Sequence, residues 1–408
     1  MKSLRNISFY TAISVFTSGI SFLLLPILTK YLSTEDYGTL AVYNATTRFV
    51  IVFISLGTSH VLFVKFIEVE LKEFKGYFSS SFVIALITTS AMVVIAVFIT
   101  AVSDSFFGLP SWLVVAIPLV GLLSYLFDVM VSLKMYQRKL AEYASLTLSK
   151  FFIEIIISLS LIVLLAFGWF GRFSGIVISL VIGIMIGGYY LRKENLLFAK
   201  HSLIKSKELL KLGFPLIFLN LGIMIMNLSD RFFIESIVGI SDVGIYSIGA
   251  AVGGVQLLFV NASIAVFRPK IYESFKEQES TKKIQGLNLS LLVAVFLFLN
   301  LFSYLFFEDF INERYWAAQN YVLSISAGFV FWGIFNFYVS FFMYQNLNRL
   351  TAIVSVLGVL LNLILNYFLI FEYSTIGAAY ATAITYFAMA LLIYFLFKFY
   401  PSGTLDSK

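Results

Sequence analysis

The stretch FSSSFVIALITTSAMVVIAVFITAV, residues 78–102, is 25 residues long and contains no charged side chain. About 20 apolar residues in a helix are enough to cross the hydrocarbon core of a bilayer. Similar runs recur along the 408-residue chain, which is 60% hydrophobic and 12% charged. A soluble protein carries about 25% charged residues, so lipid must be the solvent here. The runs are longer than the alternating strands of a barrel, and we predict an all-α integral membrane protein.

Twelve runs are long enough to span the membrane. We place them at residues 8–30, 39–64, 78–102, 111–133, 145–167, 173–191, 212–235, 243–266, 284–307, 318–341, 350–371 and 376–398. About 22 of the 28 basic residues fall on the side that carries both termini, which the positive-inside rule places in the cytoplasm. The first apolar run, about 22 residues long, exceeds the roughly 7–15 residues of a signal-peptide core. We therefore expect it to be retained as the first span.

Several kinds of chemistry are disfavoured by the composition. The chain has no cysteine, which excludes disulfides, thiol catalysis and cysteine-ligated metals. Its two histidines, His60 and His201, lie far apart in sequence, so neither a histidine metal site nor a catalytic triad is expected. No G-x-x-x-x-G-K-[ST] motif is present, so we do not expect this chain to hydrolyse ATP. We predict a protein that is not an enzyme and uses no metal or other cofactor.

Two short motifs recur at half the chain length. D-x-G occurs at 36–38 and 242–244, and MYQ occurs at 135–137 and 343–345. Six spans per half give both halves the same orientation, as in transporters built from two parallel repeats, with a substrate site expected between them. The predicted domains are an N-terminal six-helix bundle at 1–195, a cytoplasmic connector with a basic amphipathic helix at 196–211, and a C-terminal six-helix bundle at 212–408. A solvated connector that only fixes the topology is the alternative for the middle segment.

Two prolines occupy equivalent places in the two halves. Pro26 interrupts the first span and Pro215 opens the seventh. Because proline removes a helical hydrogen bond and bends the helix, we predict that both serve as hinges. Prolines that are tolerated without any motion are the alternative.

Three basic residues that lie away from the ends of the predicted spans are candidates to bind substrate: Arg48, Lys150 and Arg231. A charge at bilayer depth costs at least about 2.5–3.5 kcal/mol unless it is paired or hydrated. A ladder of cations suits an anion, since arginine binds phosphate bidentately and lysine binds it as a point charge. Arg48 has no acid within a helical turn, which favours a substrate role. For Lys150 the alternatives are a side chain that extends toward the cytoplasmic membrane surface or an ion pair with Glu154.

Five further polar residues are candidates to line the cavity or carry a coupling ion: Asn220, Asn227, Asp128, Glu154 and Asp230. The two asparagines share one helical face with Arg231, at spacings i, i+7 and i+11. Asp128 and Glu154 are the candidates for a coupling H⁺ or Na⁺. For Asp230 the alternatives are an ion pair with Arg231 or a cap at a helix end.

Three stretches carry a family resemblance. They are NISFYTAISVFTSGISFLLLPILTKYLSTEDYGTLAVYN at 6–44, SDRFFIESIVGISDVGIYSIGAAV at 229–252 and YSTIGAAYATAIT at 373–385. With these stretches the whole chain resembles the O-antigen flippases of the Wzx type. These belong to the polysaccharide-transporter branch of the multidrug/oligosaccharidyl-lipid/polysaccharide (MOP) exporter superfamily.

The resemblance implies two six-helix bundles in a V shape around a central cationic cavity, in the bacterial inner membrane. It implies movement of an undecaprenyl-pyrophosphate-linked oligosaccharide from the cytoplasmic to the periplasmic leaflet, with a polysaccharide polymerase and a chain-length regulator as partners. Arg48 sits where related flippases keep an arginine in the second helix. The first helix lacks an intramembrane arginine and has only Lys30 near its outer end, which departs from the pattern of peptidoglycan-precursor flippases.

Two other functions are alternatives to the flippase. A cation-coupled antiporter of drugs or metabolites in the same superfamily would favour acids over basic residues in its cavity. A membrane glycan polymerase would require a large external loop for its chemistry, and the longest external segment predicted here, residues 307–319, is short. The sequence leaves open the choice among O-antigen, capsule and exopolysaccharide repeat units.

Overall fold

The computed structural model describes residues 2–103, 105–196, 200–277 and 279–399. Within these ranges the α-helices are α1 (Lys2–Leu23), α2 (Leu25–Tyr31), α3 (Thr34–Ser55), α4 (Thr58–Glu68), α5 (Leu71–Val102), α6 (Ser111–Tyr136), α7 (Leu140–Leu159), α8 (Gly168–Lys193), α9 (Leu203–Ile237), α10 (Ile240–Gly253), α11 (Val255–Lys276), α12 (Lys282–Phe310), α13 (Gln319–Tyr344), α14 (Asn348–Tyr373) and α15 (Ile376–Phe399). A two-stranded hairpin, β1 (Ser105–Phe106) and β2 (Leu109–Pro110), joins α5 to α6. A π-helical turn (Ser160–Leu164) extends α7, and a 3₁₀ helix (Glu313–Ala318) precedes α13.

The membrane-spanning helices agree with the hydropathy of the chain. Among the described residues, eleven helical stretches are long and apolar enough to cross a membrane, and Val15–Tyr31 is a shorter apolar stretch. Together they correspond in order to the twelve predicted spans, and the predicted all-α membrane fold is confirmed. Residue 1 and residues 400–408 lie outside the described residues, so the cytoplasmic placement of both termini stays a prediction. Residues 197–199 of the predicted connector also lie outside the described residues, and its cytoplasmic placement stays a prediction as well.

The two candidate hinge prolines have different effects on their helices. Pro26 lies in the first turn of α2, just after α1 ends at Leu23. A proline is tolerated in a first turn, where the missing N–H would lack a helical acceptor anyway. Pro215, by contrast, lies inside α9, which continues from Leu203 to Ile237. Only Pro26 therefore coincides with a helix break, and hinge motion at either site stays a prediction.

The two motifs that recur in the sequence, MYQ and D-x-G, have similar local structures in the two halves of the chain. MYQ ends the 26-residue α6 and the 26-residue α13, and each is followed by a left-handed residue, Arg138 (φ 58°) and Asn346 (φ 60°). The aspartate of each D-x-G motif reaches the N-terminal end of the last helix of its half. Asp36 accepts a hydrogen bond from the backbone N–H of Trp169 at 3.2 Å. Asp242 accepts one from the Thr375 hydroxyl at 3.3 Å, and each pair is 133 residues apart.

A close backbone contact occurs where the second predicted span is broken. α3 ends at Ser55, Leu56 and Gly57 are left-handed (φ 44° and 71°), and α4 begins at Thr58. α9 passes so near this break that a Cβ on Gly57 would lie 2.1 Å from the carbonyl oxygen of Gly213. The left-handed conformation favours glycine at position 57, and the backbone neighbour at this distance leaves no room for a Cβ.

Gly57→Ala is expected to lower the stability of the protein by about 2 kcal/mol or more, since it adds left-handed strain to a steric clash. The measurement is the thermal unfolding midpoint of the detergent-solubilised protein, followed by loss of the monodisperse peak in size-exclusion chromatography. Gly286→Ala is the matched control, because a Cβ there meets nothing within 4 Å. Equal unfolding midpoints for the two variants would contradict the close backbone contact between Gly57 and Gly213.

The chain divides into two compact units, residues 1–224 and 225–408, and the division falls inside α9. The core of the first unit includes Leu62, Phe74, Leu133, Leu191 and Leu209. The core of the second is largely aromatic and includes Phe335, Tyr338, Phe341, Phe342 and Tyr386. The predicted boundaries at 195/196 and 211/212 stay predictions.

Lys134, one residue beyond the predicted span 111–133, is fully buried. Lys134 lies in the last turn of α6, where its Nζ pairs with Glu142 at 2.8 Å and with Glu194. Burial raises the pKa of Glu194, but hydrogen bonds from Lys134, Lys139 and Gln137 lower it more, and the net pKa is below its ordinary value. This cluster ties the ends of α6 and α8 to the start of α7 with groups that compensate each other's charge.

Candidate functional site

A cavity of about 420 Å³ lies within the first compact unit. Its walls come from α3, α4, α6 and α9. The lining side chains are Arg48, Ile51, Val52, Ser55, Ser59, His60, Phe63, Tyr125, Asp128, Val129, Ser132, Met135, Tyr136, Asn220 and Met224. This volume is within the range of small-molecule sites, about 300–1,000 Å³. The polar side chains are concentrated on α3, α4 and α6.

Arg48 enters this cavity from deep in a spanning helix. It lies 14 residues into α3, about 21 Å along the helix axis from Thr34. Its side chain is exposed, and within the described part of the chain it makes no hydrogen bond or ion pair. Asp128, from the facing helix α6, is also exposed and lines the same cavity. An unpaired cation at this depth needs water or an anionic ligand as its partner.

The break between α3 and α4 forms one wall of the cavity. Ser55 precedes the break, and Ser59 and His60 follow it. Irregular backbone inside a membrane protein is tolerated where it is buried in protein or lines a cavity. Behind the wall, the Tyr125 hydroxyl is 2.7 Å from the Ser81 hydroxyl and 3.4 Å from that of Thr58. These contacts attach the broken helix to α5 and α6.

Lys150 and Glu154 pair with each other on α7. The Lys150 Nζ donates to Glu154 Oε2 at 2.5 Å, and Arg172 from α8 contacts Glu154 Oε1 at 2.6 Å. Arg172 also donates to the Ser158 hydroxyl at 3.2 Å. Glu154 therefore has two cationic partners, and neither Lys150 nor Glu154 lines the Arg48 cavity. The i, i+4 alternative considered for Lys150 is the arrangement observed.

Asp230 and Arg231 form a buried network in the second compact unit. Arg231 Nη1 donates to Asp230 Oδ1 at 2.6 Å and to the carbonyl oxygen of Asn227 at 2.7 Å. The Tyr246 hydroxyl donates to the other oxygen, Asp230 Oδ2, at 2.6 Å. The Asp230 side chain is 7% exposed and that of Arg231 16%. Nearby, the buried Asn362 accepts hydrogen bonds from Ser229 and Asn366.

The three candidate cations thus differ in whether a carboxylate contacts them. Lys150 and Arg231 each contact a carboxylate, whereas Arg48 does not. Of the other candidates, Asp128 and Asn220 line the cavity with Arg48. A ladder of all three cations stays a prediction, and it requires Lys150 and Arg231 to leave their acids.

The sequence reasoning missed His60, Ser59 and Arg172 as members of these sites. His60 is 12 residues after Arg48, which in an unbroken helix would place it on a different face. The left-handed residues at 56 and 57 change the direction of the chain, so helical spacing could not connect the two side chains. Arg172 lies one residue before the predicted span 173–191, and only the packing of α7 against α8 shows its contact with Glu154.

Comparison with known proteins adds a family and a fold. The sequence profile of the family described as "Polysaccharide biosynthesis protein" matches residues 3–275. A protein of Shigella flexneri, provisionally assigned as an O-antigen transporter, is 27% identical over 230 residues. This alignment covers 55% of each protein, so the chain spans about half the length of the curated relative it matches.

Two solved structures have the same fold. The lipid II flippase MurJ, in an inward closed conformation, superposes with a TM-score of 0.75 at 15% identity, covering 97% of this chain and 88% of that one. An inward-facing multidrug resistance MATE family transporter of the MOP superfamily gives 0.70 at 13% identity, covering 92% and 93%. Since the profile covers more than half of the residues, the chain belongs to the polysaccharide biosynthesis protein family, on the fold of MATE and MurJ transporters.

Proposed function

We propose that this protein is a flippase of the bacterial inner membrane. It moves an undecaprenyl-pyrophosphate-linked oligosaccharide from the cytoplasmic to the periplasmic leaflet by alternating access. The oligosaccharide is a repeat unit of O-antigen, capsule or exopolysaccharide. The observation that carries the proposal is Arg48, an exposed cation about 21 Å along its helix that lines a cavity and has no carboxylate partner.

Arg48 is the residue we propose to bind the pyrophosphate. A guanidinium presents a planar pair of donors that matches phosphate oxygens. The hydroxyls of Ser59 and Ser132 are further donors on the same walls, whereas that of Ser55 already donates to the carbonyl oxygen of Val52 at 3.0 Å. Tyr136 offers an aromatic face for a sugar ring, while the lipid tail remains in the bilayer. Lys150 and Arg231 take the anion at later steps, when they exchange their present carboxylate partners for phosphate.

Transport also requires a source of free energy, which we propose to be the gradient of a coupling ion, H⁺ or Na⁺. Asp128 is the acid best placed for it, because it shares the cavity with Arg48. Neutralising Asp128 would remove the negative charge that competes with the substrate for the arginine. Glu154 is the second candidate, although two cations now occupy its oxygens. A polymerase and a chain-length regulator are the proposed partners that consume the product.

A cation-coupled antiporter of drugs or metabolites is the second candidate. The fold shared with a multidrug MATE transporter and the presence of Asp128 in the cavity favour it. A small cationic substrate would pair with Asp128 and would be repelled by Arg48. The two functions therefore predict opposite effects when the Arg48 charge is removed.

A leaflet-resolved accumulation assay tests the proposal. Cells depleted of the protein are converted to spheroplasts, and lipid-linked repeat units are quantified with and without an externally added glycosidase. For a flippase, single repeat units accumulate and resist the enzyme, because they remain on the cytoplasmic leaflet. Single units that the enzyme digests would indicate a polymerase. No accumulation would contradict the flippase and favour the antiporter.

A further inference from the structure

We infer that His60 is a second anion-binding side chain of the Arg48 cavity, and that protonation of its imidazole controls how tightly the anionic head group is held. The inference rests on the proposed function, since it assigns a regulatory residue to the same site.

The position of His60 supports this role. It lies in the first turn of α4, immediately after the break at Leu56 and Gly57, and its side chain is exposed and lines the cavity with Arg48. Within the described residues it makes no hydrogen bond. Both ring nitrogens are therefore available to a ligand. An ordinary histidine side chain changes its charge between pH 5 and 8, unlike an arginine or a tyrosine.

Protonation of His60 changes the charge of the cavity, as does neutralisation of Asp128. α3 contributes Arg48, and α6 contributes Asp128 together with the phenols of Tyr125 and Tyr136. α9 contributes only neutral side chains to the lining. With Asp128 ionised and His60 neutral, the formal charges cancel. Protonation of His60 then gives the cavity a net charge of about +1, which attracts an anion in a region of low dielectric.

Several other charged or polar groups around α4 pair with one another. They form a separate cluster at the far end of α4 and the starts of α5 and α9, and none of them lines the cavity: Lys65, Glu68, Glu73, Tyr77, Lys205 and Glu208. On α6, Lys134 is neutralised by Glu142 and Glu194. Among the described residues, Arg48, His60 and Asp128 are thus the charged or titratable groups that line the cavity, apart from the two phenols.

The direction of the pH dependence follows from the charge. An anion binds His60⁺ more strongly than neutral His60, so affinity is high below the histidine titration and falls as pH rises through it. Binding of one ligand to a protein commonly changes the affinity for a second ligand by about 5–150-fold. We expect a proton on His60 to change the affinity for the anion by a factor at the lower end of that range.

The experiment measures binding of inorganic pyrophosphate to the full-length protein in nanodiscs by isothermal titration calorimetry at pH 5.5 and pH 8.0. Pyrophosphate itself titrates over this range, so wild type and His60→Gln are compared at each pH. We expect wild type to bind about 5–10-fold more tightly than His60→Gln at pH 5.5, and the two to bind equally at pH 8.0. His201→Gln is the matched control, because the ring of His201 contacts Ser206 at 3.0 Å and does not line the cavity.

The outcomes separate this inference from the proposed function. If His60→Gln and wild type bind equally at pH 5.5, while Arg48→Gln weakens binding, the histidine role is wrong and the arginine site stands. If Arg48→Gln binds as wild type does, or if no protein binds pyrophosphate at either pH, both are wrong. A reduced affinity of His60→Gln that is the same at both pH values would show a packing effect and would also overturn the protonation role.

Discussion

Replacing Arg48 by alanine is expected to abolish polymer export while the protein still inserts in the membrane at its normal level. The exposed guanidinium has no protein partner to lose, so its removal leaves no unpaired acid in contact with it. A bidentate pair of charge-assisted hydrogen bonds, each about 1.5–3 kcal/mol, would disappear from the bound substrate. We therefore expect export to fall by at least about 100-fold, measured as surface polysaccharide in a complemented deletion strain.

Two further variants test the chemistry of that result. Arg48→Lys should keep part of the activity, because a lysine retains the charge but not the planar pair of donors. Arg349→Ala, at an exposed arginine in the first turn of α14, should export normally and controls for the loss of a positive charge. Full export by Arg48→Ala at equal protein level would remove Arg48 from the site.

Asp230→Ala is expected to lower the stability of the protein by about 3–5 kcal/mol, the usual cost of breaking a buried ion pair on one side. It leaves Arg231, 16% exposed, without the carboxylate at 2.6 Å, and it leaves the buried Tyr246 hydroxyl without its acceptor. The effect should appear as a lower unfolding midpoint in detergent and as a lower level of protein in the membrane.

The double variant Asp230→Ala/Arg231→Met distinguishes an uncompensated charge from a lost contact. It removes both charges and fills the space with an apolar side chain, so it should recover much of the stability lost in Asp230→Ala. If Asp230→Ala were as stable as wild type, Arg231 would have to be hydrated or bound to lipid phosphate. Its place in a buried network would then be wrong.

The helical architecture could be predicted because each span satisfies its own backbone groups in lipid. The twelve apolar runs needed only hydropathy and length, and the structure finds helices at all of them. The D-x-G and MYQ motifs were also informative, because each sits at a helix end whose conformation recurs in the other half of the chain.

Local ion pairs were accessible to sequence reasoning, whereas pairs between helices were not. Glu154 lies one helical turn from Lys150, and Asp230 is adjacent to Arg231, so each was considered as an alternative to a substrate role. Arg172 and Tyr246 complete these networks from other helices, and no spacing within one helix can indicate them.

The sequence by itself determined that this chain is a bundle of membrane helices with charge at bilayer depth, because hydropathy and helix length act locally. The tertiary structure decided which of those charges is available to a ligand. Two left-handed residues after α3 turn the chain, place His60 beside the cavity and allow α6 and α9 to complete its walls. Packing between helices gave Lys150 and Arg231 their carboxylate contacts and left Arg48 facing a cavity, since pairing at bilayer depth depends on which side chains the fold brings within a few ångströms.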